Sequence, residues 1–217
     1  MIFMIDARIS AVINFVQPKS RVADIGADHG YLAIELAKSG RASFVIASDK
    51  NQGPLDAAKK NIAAAGLNIE TRLGDGLSVL RAGEVDTICI AGMGGALIVE
   101  ILAAAPEILA ATENLILQPM NAVDKVRAWL SDNGWFCQSE LAEAAGIIYE
   151  IISATKVPAV EPAEKSSPLL EKLTARKISK LEKIVAEMSK SAAAVQTEKF
   201  AQIQAEIARL KNSSKQQ

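Results

Sequence analysis

The sequence predicts an α/β protein: a doubly wound parallel sheet followed by a separate helical hairpin. Three observations predict it. Between residues 21 and 154, short runs rich in β-branched and aliphatic residues alternate with stretches of helical composition. The segments that follow the strands are rich in Gly, Asp and Asn. From Leu169 to Leu210 there is neither glycine nor proline, which leaves a long helical tail. Strict alternation of strand and helix calls for right-handed crossovers between parallel neighbours, and strands covered on both faces read as continuous apolar runs.

In chain order, the first strand is read at Arg21–Gly26 and the second at Ser43–Asp49, each an apolar run closed by a turn. The helix between them, Tyr31–Lys38, opens after Gly30. The second helix, Pro54–Ala65, is bracketed by a proline suited to a first turn and by Gly66 as a stop. Strands at Ile69–Leu73, Val85–Ala91 and Asn114–Gln118 alternate with helices at Ala96–Ala104 and Ala122–Ser131. Trp135–Leu141 and Ile147–Ala154 are joined by Glu143–Gly146, a hairpin-length link that adds an antiparallel pair at one edge. In the tail, Leu170, Leu173, Leu181, Ile184, Met188, Ala192 and Val195 form one apolar stripe, and Phe200, Ile203, Ile207 and Leu210 a second. A bend at Ser189–Val195, where large apolar residues thin out, makes two antiparallel helices, a short coiled-coil hairpin.

The chain of 217 residues is 50% hydrophobic and 23% charged, the balance of a folded globular protein and too apolar for disorder. Cys89 and Cys137 lack C-x-x-C spacing and His29 is the single histidine, so a Cys/His zinc site is excluded and no metal is expected. Met1–Ile5 is apolar but ends at Asp6, too short for a signal-peptide core, and no run is long enough to span a membrane. A reducing cytoplasm is the expected compartment. The net charge of −1 conceals an asymmetry. Residues 1–157 carry 13 Lys+Arg against 18 Asp+Glu, or −5, while residues 158–217 carry 11 against 7, or +4. With Pro158, Pro162 and Pro168 at the junction, the expected domains are 1–157 and 158–217.

In open parallel sheets ligands bind beyond the carboxyl ends of the strands, where strand order reverses. Four loops fall there: D-I-G-A-D-H-G (Asp24–Gly30), S-D-K-N-Q-G-P (Ser48–Pro54), G-D-G (Gly74–Gly76) and A-G-M-G-G (Ala91–Gly95). The first carries G-x-x-x-G rather than the dinucleotide pattern G-x-G-x-x-G. A carboxylate at Asp28 repels a pyrophosphate and attracts a cation such as the sulfonium of S-adenosylmethionine. Asp49 is placed to accept from two ribose hydroxyls, and Asp75 from an adenine amino group. No Walker A motif is present, which argues against nucleoside triphosphate hydrolysis. Taken singly, Gly26, Gly30, His29 and Asp75 could each serve only a turn or the scaffold; their conjunction on one rim points to a ligand. Cys89, inside an apolar strand, is expected to be buried and inert.

These residues carry a resemblance. The motifs D-I-G-A-D-H-G-Y-L, A-S-D-K-N-Q-G-P, R-L-G-D-G-L, I-A-G-M-G-G, L-I-L-Q-P, W-L-x-x-N-G-W and Y-E-I, spread over residues 5–157, resemble the TrmK-type bacterial tRNA (adenine-22-N1)-methyltransferases, a class I S-adenosylmethionine-dependent family. The resemblance implies a seven-stranded methyltransferase fold with a coiled-coil-like C-terminal domain, and methyl transfer to an adenine in the tRNA D-arm. It implies cofactor contacts from Asp24, Gly26, Asp28, His29, Asp49, Asn51, Gly74, Asp75, Gly76, Ala91, Gly92 and Met93, and substrate contacts from Gln118, Pro119 and Asn121. One departure stands out: L-Q-P is followed by Met120 and only then by Asn121, where the family tends to place Asn directly after Pro.

N1 of adenine carries an in-plane lone pair, so its methylation needs no prior deprotonation. What it needs is N1 aligned with the methyl–sulfur bond, and stabilisation of positive charge as it moves onto the ring. A carboxylate beside the ring that also accepts from the N6 amino group does both; Asp28 is the expected residue, with His29 or Tyr31 orienting or stacking on the base. N1 is hidden in a paired stem, so the adenine must be unpaired or flipped. Lys172, Arg176, Lys177, Lys180 and Lys183 read as a tRNA-docking arm that contacts phosphates; the competing reading is a packing or dimer helix with a solvated lysine face. Two other functions fit less well. A noncatalytic RNA-binding or scaffold protein would not need intact Asp24, Asp28, Asp49 and Asp75, and an NAD-dependent oxidoreductase would need the missing G-x-G-x-x-G.

Overall fold

The computed structural model describes residues 7–158 and 168–213. The chain divides into two units, Met1–Glu161 and Pro162–Gln217. The stretch between Pro158 and Pro168, where the sequence sets its boundary, lies outside the described residues.

In the first unit, α1 (Ala7–Phe15) precedes β1 (Ser20–Ile25), α2 (Tyr31–Lys38), β2 (Ala42–Asp49), α3 (Gln52–Ala64), β3 (Glu70–Leu73) and a 3-10 turn at Gly76–Val79. There follow β4 (Thr87–Met93), α4 (Gly95–Ala103), α5 (Pro106–Ala110), β5 (Asn114–Pro119), α6 (Val123–Asp132), β6 (Phe136–Ala144) and β7 (Ile147–Thr155). The seven strands form one sheet in the order β3-β2-β1-β4-β5-β7-β6. β1 to β5 are parallel, and β7 runs antiparallel to both β5 and β6. This is the doubly wound sheet with an antiparallel edge hairpin that the sequence predicts.

Alternation along each strand decides which layer a residue meets. Ile88 and Ile90 of β4 and Leu115 and Leu117 of β5 pack with Ile98 and Leu102 of α4, Leu109 of α5, and Val126 and Leu130 of α6. One step out of phase, Cys89 and Ile116 join Val12 of α1, Leu36 of α2, and Ala58 and Ile62 of α3. Cys89 is fully buried, as expected of a residue inside an apolar strand. Neither face of the central strands meets water, which is why they read as unbroken apolar runs. Burying each Leu or Ile contributes roughly 1.5–3 kcal/mol.

The structure adds α1, α5 and the 3-10 turn to the elements read from sequence. Ile9, Val12 and Ile13 give α1 weak intrinsic helix propensity, and it is burial of Ala11, Val12 and Val16 against the sheet that holds it. β4 continues through Ala91, Gly92 and Met93, so A-G-M-G-G is half strand and half turn. α3 begins at Gln52, which puts Pro54 at its third residue, where a missing N–H is still harmless. The turn between β6 and β7 is only Ala145–Gly146, with φ of 50° and 74°, the left-handed pair that a two-residue hairpin requires.

The second unit contains α7 (Pro168–Met188), α8 (Ala192–Val195) and α9 (Glu198–Ser213), with α7 packed against α9. The expected bend is the short helix α8. Ile178, Leu181, Val185 and Met188 are half-buried at alternating steps of three and four. Leu170, Leu173, Leu181 and Met188 of the expected stripe are half-buried, whereas Ile184 and Val195 are exposed, at 37% and 40%, so on α7 Ile178 and Val185 join the inward stripe and Ile184 leaves it. Phe200 is the buried apolar anchor of α9. Lys177 pairs with Glu206 at 3.1 Å and Lys211 with Glu182 at 2.7 Å.

Candidate active site

β1 leads the chain leftward to β2 and β3, and β4 starts the rightward half, so strand order reverses between β1 and β4. A cavity of about 140 Å³ opens there, at the carboxyl ends of the strands. Of the cofactor residues expected from sequence, Gly26, Asp49, Asn51, Gly74, Asp75, Gly76 and Met93 line it. Asp24, Asp28, His29, Ala91 and Gly92 do not. The lining also includes Ser48, Lys50, Leu97 and Ile101. Leu97 and Ile101 belong to an apolar helix and carry no local mark that separates a pocket wall from core; Ser48, a hydroxyl at the end of an apolar strand, does carry one.

Asp49 ties the first three loops together. Its Oδ1 accepts from the Asn51 N–H at 2.8 Å and its Oδ2 from the Asp28 N–H at 3.3 Å, while its carbonyl accepts from the Gly74 N–H at 3.0 Å. The Ser48 carbonyl accepts from both Gly26 and Ala27 N–H at 2.8 Å. Gly26 has φ +74°, and a Cβ there would lie 2.1 Å from the Met93 methyl. Only glycine lets the loop turn while Met93 closes over it.

Asp24 sits behind this wall, in register with Ala47 of β2 and Cys89 of β4. Burial, and secondarily the nearby Asp49 charge, push its carboxyl up to about 7, with the Ala33 N–H of α2 pulling the other way. Burial and the Asp24 charge push the Cys89 thiol upward, so it stays protonated. Asp24 Oδ2 and Ser48 Oγ are buried without a hydrogen-bond partner. Orphaned buried acceptors of this kind are costly unless a ligand completes them. A carboxylate, a hydroxyl and the acids Asp49 and Asp75 around a glycine-lined cavity fit a cationic nucleoside such as S-adenosylmethionine, and not a pyrophosphate.

Asp28, His29 and Tyr31 lie outside the lining, and Asp28 is joined to it through its N–H to Asp49. Asp28 has φ +49°, a conformation that Asp and Asn tolerate best among residues with a Cβ. Its Oδ2 lies 3.7 Å from His29 Nε2, with both side chains more than half exposed. The rings of His29 and Tyr31 stack with centroids 5.5 Å apart and planes 23° apart. Asn61 of α3 fixes the loop from below by donating to the His29 carbonyl at 2.9 Å.

At the ends of β4 and β5, Gln118 is wholly buried and its amide is fully engaged. Its Oε1 accepts from the Gly92 N–H and from Arg8 Nη1, each at 3.0 Å, and its Nε2 donates to the Pro119 carbonyl and toward Met120 Sδ. Gln118 thus shapes the rim rather than reaching into it. Pro119 is paired with Met93 across the sheet. Asn121 turns back, its Oδ1 accepting from the Gly95 N–H at the start of α4 at 3.3 Å. Met120, 49% exposed, takes the outward position after L-Q-P. Arg8 was not among the residues that sequence marks here.

In the second unit, Lys172, Arg176, Lys180 and Lys183 recur at steps of four, four and three, and so share one face of α7. Lys177 lies off that face and is paired with Glu206. Among the described residues no group of three or more His, Cys, Asp or Glu could hold a metal ion, and no helix is long and apolar enough to cross a membrane.

A methyltransferase domain family matches residues 5–152. The tRNA (adenine(22)-N(1))-methyltransferase of Bacillus subtilis (strain 168) is 40% identical over 150 residues, 68% of this chain and 63% of that protein, so the chain spans less than two thirds of that relative's length. Among solved structures, Streptococcus pneumoniae Sp1610 superimposes with a TM-score of 0.86 at 33% identity, over 96% of this chain and 99% of that one. The same protein in complex with S-adenosyl-L-methionine gives a TM-score of 0.78 over the same shares. The B. subtilis M1A22 tRNA methyltransferase TrmK gives 0.83 at 31% identity, over 97% of this chain and 99% of that one.

Proposed function

The chain belongs to the TrmK family of tRNA (adenine-22-N1)-methyltransferases, and from that membership we propose that it transfers a methyl group from S-adenosyl-L-methionine to N1 of adenine 22 in tRNA. The observation that carries this reading is the acidic, glycine-lined pocket at the switch point, whose lining residue Asp49 accepts from the Asp28 N–H of the loop that carries Asp28, His29 and Tyr31. When bound, S-adenosyl-L-methionine supplies the methyl group from a sulfonium centre. Asp49 holds its ribose and Asp75 its adenine, while the unpartnered Ser48 hydroxyl on the lining completes a contact to its polar groups and the Asp24 carboxyl behind the wall adds negative charge.

The exposed Asp28 carboxylate accepts from the N6 amino group of the target adenine, which fixes N1 toward the methyl donor. As the ring becomes cationic, the same carboxylate stabilises it. No side chain has to remove a proton before attack. The stacked His29 and Tyr31 rings offer the flipped base a π surface, a contact worth about 1–3 kcal/mol per base. On α7, the face of Lys172, Arg176, Lys180 and Lys183 contacts tRNA phosphates, with Lys177 serving the hairpin instead. A tRNA substrate puts the protein in the cytoplasm.

The test is nucleoside mass spectrometry of an unmodified tRNA transcript incubated with the protein and S-adenosyl-L-methionine. The expected product is 1-methyladenosine, absent when adenine 22 is replaced by guanine. A protein that binds the cofactor by calorimetry yet forms no 1-methyladenosine overturns the reading.

A further inference from the structure

A second cavity, of about 700 Å³, adjoins the cofactor pocket between the 3-10 turn after β3 and the junction of α4 with α5. Lys50, Asp75, Gly76, Leu97 and Ile101 line both cavities. The partition is thin because Gly76, at φ +53°, lies so close to Ile101 that a Cβ would come within 3.1 Å of its Cγ2 methyl. Beyond it, Leu77, Leu80 and Ile108 make an apolar floor continuous with the core, and the small side chains of Ala104 and Ala105 leave the groove open. Asp75 stands at the border. It precedes the 3-10 turn, yet its carboxylate makes no capping hydrogen bond to that turn, while its carbonyl accepts from the Ser78 hydroxyl at 2.6 Å.

The first cavity, at about 140 Å³, has room for roughly one six-membered ring, so an adenine whose amino group meets Asp75 stands at the mouth of the larger space. The N6 amino group carries two hydrogens; one satisfies the carboxylate, and replacing the other leaves that contact intact. The lining decides what the replacement can be. Asp75, Glu100 and Glu107 outnumber Lys50 there, which disfavours a phosphate or any other anion, and the apolar floor favours a hydrocarbon. We propose that this second cavity is a binding site for an apolar substituent on N6 of the cofactor's adenine, so that the protein takes adenosyl cofactors enlarged at N6 by a group of benzyl size. The cofactor itself comes from the methyl-transfer reading, on which this assignment rests.

Calorimetry with the full chain compares three thioethers that differ only at N6: S-adenosylhomocysteine, its N6-benzyl derivative and its N6,N6-dimethyl derivative. The N6-benzyl compound is expected to bind about three- to thirtyfold more tightly than S-adenosylhomocysteine, the scale of partly burying one phenyl ring. The N6,N6-dimethyl compound has no N–H left for Asp75 and should bind at least about tenfold more weakly. Ala104→Phe, at an exposed position outside the cofactor pocket, fills the second cavity. It should abolish the benzyl gain while S-adenosylhomocysteine stays within about twofold of its wild-type affinity, with thermal melting to verify the fold. Equal or weaker binding of the N6-benzyl compound by the wild type would overturn the proposal, and that comparison needs no variant. So would a benzyl gain that survives in folded Ala104→Phe, which would place the ring elsewhere, and so would undiminished binding of the N6,N6-dimethyl compound, which would turn N6 away from Asp75. A protein that binds S-adenosylhomocysteine but gains nothing from the benzyl group loses this assignment alone, whereas one that binds none of the three loses the cofactor reading with it.

Discussion

The buried Asp24 carboxyl makes the free protein's stability depend on pH in a direction opposite to that of a salt-bridged aspartate. Its folded value is about 7 against an ordinary 3.8, raised by burial first and by the Asp49 charge second. Below pH 4 the group is protonated in the folded and unfolded chain alike, and it costs nothing. Between pH 4 and 7 the unfolded chain ionises while the folded protein keeps its proton, so stability falls by about 1.4 kcal/mol per pH unit. Above pH 7 both forms are ionised and the loss levels off at about 4 kcal/mol, three pK units at that slope.

Asp24→Asn removes the titration and leaves the site otherwise occupied. Urea unfolding of wild type and variant, without cofactor and at half-unit steps from pH 4.5 to 8, gives the difference in stability at each pH. Titrating groups that do not feel the Asp24 charge cancel in that difference, and any constant offset from burying an amide is independent of pH. The difference should move in favour of Asp24→Asn by as much as about 4 kcal/mol across the range, with the change finished just above pH 7. A cationic ligand reverses the preference, so cofactor binding below pH 7 should release a proton in wild type and none in the variant, read by calorimetry in buffers of different ionisation enthalpy. A difference that stays flat with pH would refute the reasoning, because it would mean that Asp24 is ionised or solvated in the free protein.

Asp28→Asn keeps a residue that tolerates the left-handed backbone at φ +49°, so cofactor affinity by calorimetry should hold while single-turnover methylation falls at least tenfold; a near-normal rate removes Asp28 from the chemistry. Gly26→Ala places a Cβ 2.1 Å from the Met93 methyl and in a positive-φ position, which should cost about 1–3 kcal/mol in urea unfolding and abolish measurable cofactor binding. Adding Met93→Ala should recover the steric part and leave the backbone strain. On α7, charge reversal at Lys172 and Lys180 should flatten the salt dependence of tRNA binding without changing hairpin stability, whereas Lys177→Glu, which opposes Glu206, should lower the melting temperature of the tail; the reverse pattern would assign the face to packing.

The parts of the site legible in sequence are those where chemistry is written locally. Gly26, Asp49, Gly74, Asp75 and Gly76 stand immediately after apolar runs, and in a doubly wound sheet the end of a run is the rim of the pocket, so type and position coincide. That coincidence fails where position depends on length. β4 runs two residues further than its apolar stretch suggests, because Met93 still pairs with Pro119 beyond an irregularity at Gly92, and Ala91 and Gly92 are absent from the lining. It fails again where one side chain is oriented by another. Asn121 follows L-Q-P as a polar residue should in a substrate site, yet the start of α4 offers it an N–H, and Met120 is left facing outward. In the tail, period alone admits both Ile184 and Val185 as stripe residues, and packing against α9 selects Val185. Arg8 is the extreme case. No motif near it suggests contact with Gln118; its place depends on α1 being a helix, which needs the sheet to bury Val12, and on Gln118 being turned inward by Gly92. A residue with weak local propensity and no motif can reach the end of β5 only through tertiary structure, so no recognisable sequence pattern marks it.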